Sequence, residues 1–204
     1  MANPLFDITP FTLLDYPGKA ACIFWFVGCN MRCQYCYNPD IVFGKGKISV
    51  ADAVGFLQAR KGLLQAVVLS GGECSIHKDV RNIAQKAKDL GYLVKIDTNG
   101  TSPKTLISLI NEGLVDYVAL DLKALADDFT AITASKTFRG FEESYHILQA
   151  SNTAFEVRST VHSALHSLAD IEAMIAYLYD RNYRGTYYLQ VALNNVKTIA
   201  ELPD

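Results

Sequence analysis

The 204-residue chain has no uninterrupted apolar stretch near the length of about twenty residues that a membrane-crossing helix needs, so a helical span is excluded. It has no run of lysine and arginine, and its formal charge is only −2, so nothing in it builds an electrostatic face for nucleic acid. No low-complexity tract, short repeat or Pro/Gly/Ser-rich linker divides it, and 50% of its residues are hydrophobic. A single domain over 1–204 is therefore expected, with a lead-in over 1–19, a core over 20–192 and a tail over 193–204. No N-terminal stretch combines basic residues, an apolar core and a small-residue cleavage site, so a cytoplasmic protein with reduced thiols is expected. Histidine is scarce too. No more than two of His77, His146, His162 and His166 share a metal-ligand spacing, so they read as core or surface polarity.

Cysteine numbers only five, and three of the five lie in Cys29-Asn-Met-Arg-Cys33-Gln-Tyr-Cys36. A closed zinc site or an ordinary iron-sulfur site recruits four protein ligands, so three leave one coordination position open. The intervals match neither paired zinc knuckles nor the common ferredoxin run. The simplest fit is a 4Fe-4S cubane with three protein-bound irons and one free iron. The alternatives are buried thiols, a zinc site completed by a distant histidine, and disulfides. Cys22 reads as a buried strand residue and Cys74 as a small packing residue; two cysteines do not ligate a second cubane.

Apolar runs of strand length occur at 20–27, 66–69, 92–96, 115–120, 154–161 and 186–192. Helical stretches fall between them: from Ser49, as N-cap with Asp52, to about Arg60; from Lys78 to Leu90, stopped by Gly91; from Pro103 to Glu112; from Gly140 to Ala150; and from Leu168 to Tyr179. Residues 124–138 are left as a polar loop or short helix. The segment Thr12-Leu-Leu-Asp15-Tyr-Pro17-Gly18 reads as a turn before the first strand. Six strands alternating with helices imply parallel pairing in an α/β fold, and a partial (β/α)6 TIM-like barrel is favoured because polar residues gather at the C-terminal strand ends. Gly44 and Gly46 also suggest a lid over 37–48.

The CxxxCxxC loop after the first of these strands, Gly71-Gly72-Glu73 after the second and Asp121-Leu-Lys123 after the fourth resemble the radical S-adenosylmethionine (radical SAM) superfamily. Leu14-Asp15-Tyr16-Pro17-Gly18-Lys19, Gly28 to Pro39, Ser70 to Cys74 and Asp97-Thr-Asn-Gly100 resemble more narrowly the activating proteins of glycyl radical enzymes, notably those of anaerobic ribonucleoside-triphosphate reductase. The resemblance implies that Cys29, Cys33 and Cys36 bind one 4Fe-4S cluster, with S-adenosyl-L-methionine on its fourth iron. It implies further that Tyr35 packs on adenine with Tyr37 alongside, that Gly71 and Gly72 let backbone approach the cofactor, and that Glu73 supports the methionyl ammonium. Asp121 and Lys123 would contact the cofactor's polar ends, and Asp97, Asn99, Arg158 and Gln190 are further wall candidates.

Each residue has a plainer reading as well. The two glycines suit a simple turn, Asp121 and Lys123 a solvated pair, Arg158 a core ion pair and Tyr35 packing. The function implied is reductive cleavage of the cofactor to a 5′-deoxyadenosyl radical. That radical would act on a glycine of a partner glycyl radical enzyme admitted through the lateral opening of the barrel. A low-potential electron donor of flavodoxin or ferredoxin type is implied, and neither nucleic acid nor membrane. The competing readings are action on a small molecule or peptide, and an iron-sulfur electron-transfer or binding protein.

Overall fold

The computed structural model describes residues 3–193 and 195–203, so residues 194 and 204 of the expected tail lie outside the described residues. Seven strands form one sheet in sequence order: β1 (Leu5–Thr12), β2 (Ala21–Phe26), β3 (Ala66–Gly71), β4 (Leu93–Thr98), β5 (Tyr117–Asp121), β6 (Ala154–Val161) and β7 (Tyr187–Val191). The pairs from β2 to β7 are parallel. The helices are α1 (Pro39–Phe43), α2 (Val50–Ala59), α3 (Val80–Asp89), α4 (Pro103–Asn111), α5 (Ala126–Thr133), α6 (Phe138–Ala150) and α7 (Leu168–Asp180). The fold is a partial barrel of six parallel strands with helices between them and one added antiparallel strand.

That added strand lies within the lead-in expected over 1–19. β1 pairs antiparallel with β2, from Leu5 opposite Phe26 to Thr12 opposite Ala21. Its sequence, LFDITPFT, gives little strand signal because Pro10 and Asp7 interrupt it. Proline lacks an N–H for the ladder and is tolerated at a sheet edge, and the register shifts between Thr9 and Thr12, which flank it.

Alternation along the strands sorts residues onto two faces. Cys22, Phe24, Phe26, Val67, Leu69, Val94, Ile96, Val118 and Leu120 pack outward in the main hydrophobic core. The inner face carries a smaller apolar cluster of Tyr16, Ala21, Ile23, Ala66 and Val68. Alanines at paired positions of β2 and β3 occupy little room, which suits the concave side of a curved sheet. Above them the same face turns polar with Lys95, Asp97, Asp121, Glu156 and Arg158. Tyr16, from the turn after β1, packs under this interior, its ring 5.9 Å from that of Tyr117.

The segment undecided at 124–138 contains α5 and the start of α6. Phe129 and Ile132 of α5 are buried against Met31, Cys33 and Tyr35 in a separate apolar cluster. The segment of the suggested lid contains a short helix. α1 fills 39–43, and Gly44 and Gly46 lie so close to the Asp40 and Asn3 carbonyls that a Cβ at either would collide. These glycines are required by close packing.

Candidate active site

Gly28 ends β2 at φ +81, a left-handed conformation that costs glycine no Cβ clash, and turns the chain across the mouth of the barrel. The cysteine loop that follows has no ladder of its own, so other segments must satisfy its polar groups. The Arg32 N–H donates to the Thr133 carbonyl at 2.8 Å, the Gln34 N–H to that of Ile132 at 3.0 Å, and the Gln34 side-chain amide to that of Ala131 at 2.9 Å. These acceptors are last-turn carbonyls of α5, which have no partner within the helix. The Arg32 guanidinium donates to the Cys29 and Met31 carbonyls at 2.7 and 2.6 Å. From the opposite side the tail donates, Ile199 N–H to Cys36 and Ala200 N–H to Gln34, both at 3.0 Å.

Beside this loop β3 delivers Gly71, Gly72 and Glu73. Gly71 has φ +123, and a Cβ there would strike the Phe26 backbone; one on Gly72 would strike the Gly28 carbonyl. The glycines therefore admit the neighbouring strand and the start of the cysteine loop, secured by Gly72 N–H to Phe26 and Glu73 N–H to Gly28, both at 2.9 Å. Glu73 is 2% exposed. Its Oε1 accepts from the Ser75 N–H at 3.0 Å and the Thr98 hydroxyl at 2.8 Å, and its Oε2 from the Asn99 N–H at 2.7 Å. Burial raises its pKa against the pull of those donors. The Asn99 side chain donates to Asn30 of the cysteine loop at 3.0 Å, tying that loop to the end of β4.

On the far wall charges alternate. Asp121 accepts from Lys123 Nζ at 3.0 Å and Arg158 Nε at 2.9 Å, and Arg158 Nη1 lies 3.5 Å from Asp97. Lys95 Nζ is 2.9 Å from Asp97 Oδ1 and forms an ion pair with it. Burial alone would raise the Asp121 pKa, but Arg158 and Lys123 outweigh it and hold the carboxyl below its ordinary value. Asp121 and Lys123 are thus a half-buried pair, largely withdrawn from solvent. Arg158 is ion-paired, as its plainer reading has it, and also reaches the cavity wall.

One cavity is lined by every candidate: Cys29, Cys33, Cys36, Tyr35, Tyr37, Gly71, Gly72, Glu73, Asp97, Asn99, Asp121, Lys123, Arg158 and Gln190. Asp15, Trp25 and Thr98 line it too, and the sequence reading missed them as site residues. Trp25 had a usable signal, since it alternates with outward-facing Phe24 and Phe26. Cys22 and Cys74 are fully buried and free, and His162 and His166 are buried, in keeping with the packing and polarity roles expected.

Burial pushes the Cys29 thiol up to about 12 and raises that of Cys33, so binding a cation there must displace protons. Among the described residues, no three His, Cys, Asp or Glu side chains come close enough to hold one metal ion. A cubane takes each thiolate on a different iron, so it does not need the three to converge on one ion. Among the described residues the buried Tyr35 hydroxyl has no hydrogen-bond partner, which is costly unless a further group completes the site. Three thiols, an orphaned hydroxyl, a buried carboxylate and a lysine–aspartate pair fit a cluster bearing a zwitterionic, aromatic cofactor.

The pattern of the Radical SAM superfamily matches residues 23–163. The chain is 40% identical over 127 residues to a protein of Methanocaldococcus jannaschii named "Putative glycyl-radical enzyme activating enzyme", covering 60% of this chain and 51% of that one. It is 30% identical over 138 residues to the pyruvate formate-lyase-activating enzyme of Clostridium pasteurianum, covering 64% and 57%. The chain thus spans about half the length of the curated relatives it matches. Among solved structures, Streptococcus suis SuiB bound to S-adenosylmethionine superposes with a TM-score of 0.68 at 13% identity, over 87% of this chain and 42% of that one. At that identity the likeness concerns the fold alone.

Proposed function

The chain belongs to the radical SAM superfamily, and from that membership we propose that it reductively cleaves S-adenosyl-L-methionine at a 4Fe-4S cluster to place a glycyl radical on a partner enzyme. The observation that carries this reading is the opening of three cysteines onto the same cavity as Glu73, Asp121, Lys123 and the unpartnered Tyr35 hydroxyl. A cluster held by Cys29, Cys33 and Cys36 would supply the single electron for reductive cleavage of the cofactor's sulfonium, and hydrogen abstraction would follow.

The chain's own residues bind and orient. Cys29, Cys33 and Cys36 give up their thiol protons to ligate. Glu73, fixed by Ser75, Thr98 and Asn99, offers a carboxylate to the methionyl ammonium. Lys123, raised well above the ordinary lysine value because Asp121 outweighs its burial, stays cationic and suits the methionyl carboxylate. Tyr35 offers its ring to the adenine. Gly71 and Gly72 act indirectly, by letting the cysteine loop lie against β3.

The similarity to glycyl-radical activating enzymes supports a protein substrate, and within that class we favour a glycyl radical enzyme such as anaerobic ribonucleotide reductase. A partial barrel with β1 and β7 as the outer strands of its sheet leaves a side open for a substrate loop. We place the reaction in the cytoplasm, where thiols stay reduced; no helix among the described residues is long and apolar enough to cross a membrane.

The test is anaerobic. Protein reconstituted with iron and sulfide, then reduced with dithionite and given S-adenosylmethionine, is expected to form 5′-deoxyadenosine, and Cys33→Ala to form none. Adding a purified glycyl radical enzyme is expected to yield a glycine-centred radical by electron paramagnetic resonance. A reducible cluster without 5′-deoxyadenosine, with or without that partner, sinks the proposal and leaves electron transfer as the function.

A further inference from the structure

The junction between β2 and the cysteine loop is held at each of its backbone groups. Val27 N–H donates to the Pro4 carbonyl at 3.1 Å and Gly28 N–H to that of Ile41 at 2.9 Å, while the Gly28 carbonyl accepts from the Glu73 N–H at 2.9 Å. The Val27 carbonyl accepts from Nε2 of His77. A carbonyl oxygen only accepts, so Nε2 of this imidazole carries the proton. Three of the four partners are backbone groups; the fourth is a side chain that the sequence alone presents as mere polarity.

His77 belongs to the same turn as Glu73. The short 3-10 turn Cys74–Ile76 starts where the Glu73 carboxylate accepts from the Ser75 N–H at 3.0 Å. It ends where the His77 N–H donates to the Cys74 carbonyl at 3.1 Å, and the His77 carbonyl accepts from the Val80 N–H at 3.2 Å as α3 begins. The imidazole lies 5.3 Å, centre to centre, from the ring of Phe26, which is fully buried. One turn therefore carries both the carboxylate on the cavity wall and the imidazole that holds the chain two residues ahead of Cys29.

We propose that His77 is a positioning residue for the cofactor: through the Val27 carbonyl it fixes Cys29, and with it the cluster, relative to Glu73. The inference rests on the cluster reading above. S-adenosyl-L-methionine has to meet the cluster and Glu73 together, so slack between the two weakens its binding. Gly28 supplies no lock of its own. At φ +81 it has nothing within 4 Å of where a Cβ would sit, so hydrogen bonds and not packing set its place. Without the imidazole donor the Val27 carbonyl loses its partner, and the entry to the cysteine loop is free to shift. Groups that hold metal ligands from behind control affinity in this way.

Two substitutions separate the donor from the ring. His77→Phe keeps an aromatic ring against Phe26 and removes the donor, whereas His77→Gln restores an N–H of similar reach. In cluster-loaded protein, binding of S-adenosylmethionine is expected to weaken by about tenfold in His77→Phe and by less than about twofold in His77→Gln. The change that S-adenosylmethionine makes in the electron paramagnetic resonance signal of the reduced cluster should shrink in His77→Phe at equal iron content and return in His77→Gln. A further readout needs no cluster: amide hydrogen exchange over residues 27–36 of cluster-free protein should quicken in His77→Phe alone. Affinity, signal and exchange equal to wild type in His77→Phe, or equally impaired in both variants, would overturn the proposal. A wild-type signal indifferent to S-adenosylmethionine overturns the cluster reading and this inference with it, whereas normal wild-type behaviour shared by His77→Phe overturns this inference alone, so the two failures are distinguishable.

Discussion

Asp121 stands between two cations, Arg158 Nε at 2.9 Å and Lys123 Nζ at 3.0 Å, with a fifth of its side chain open to the cavity. Burial raises its pKa, yet the two cations prevail and hold it below the ordinary 3.8. A carboxyl depressed in this way contributes stability that is fully present above its unfolded pKa and lost as pH falls through the folded one. Asp121→Asn is expected to cost about 3 kcal/mol at neutral pH, because Arg158 and Lys123 are left largely withdrawn from water beside a neutral amide. It should also flatten the acid limb of the stability profile. Urea midpoints from neutral pH to below the carboxylate range decide the matter, and parallel profiles for variant and wild type would count against the pairing. At this scale the sequence revealed residue types and spacing well, since every candidate meets in one cavity. The reason for Gly72 was not legible, because its constraint is the carbonyl of Gly28, distant in sequence and brought near only by β2–β3 pairing.

Among the elements, α7 begins with a reciprocal cap. The Ser167 side chain accepts from the Asp170 N–H at 3.2 Å, and the Asp170 carboxylate accepts from the Ser167 N–H at 2.7 Å. The same device at Ser49 and Asp52 starts α2, and there Ser49 was readable as a cap because the helix pattern begins directly after it. Ser167→Ala is expected to cost about 1 kcal/mol, seen as a melting temperature lower by about 2–4 °C. A larger fall would mean that α7 is held by its cap more than by Met174 and Leu178, which are buried in the main core. α5 shows the limit of local reading. Its first turn is acidic and its buried Phe129 and Ile132 pack on the cysteine loop, so its apolar face has a partner only after the chain has folded.

Across the whole molecule, Lys95 links floor to mouth. Its side chain is 2% exposed, its ammonium donates to the Asp15 carbonyl at 2.7 Å, and it pairs with Asp97 at 2.9 Å and Glu156 at 3.7 Å. It thereby holds the turn after β1 beneath the barrel while neutralising carboxylates on its inner wall. Lys95→Met leaves Asp97 and Glu156 one cation short, and a loss of about 3–5 kcal/mol is expected in denaturant unfolding. An unchanged midpoint would show that the interior pairing contributes nothing.

By itself the sequence determined the α/β class, the parallel strands β2 to β7 and the placement of the chemistry at their C-terminal ends. Burial alternates with backbone period, and the motif residues sit at fixed offsets from each strand, so both are written locally. Only the tertiary structure decided that the lead-in contains a strand, that α5 cradles the cysteine loop, that Lys95 lies inside the barrel and that His77 holds the end of β2 ahead of Cys29. Each of these depends on groups far apart in the chain, whose hydrogen bonds and charges acquire partners only when the sheet has curved and closed around them.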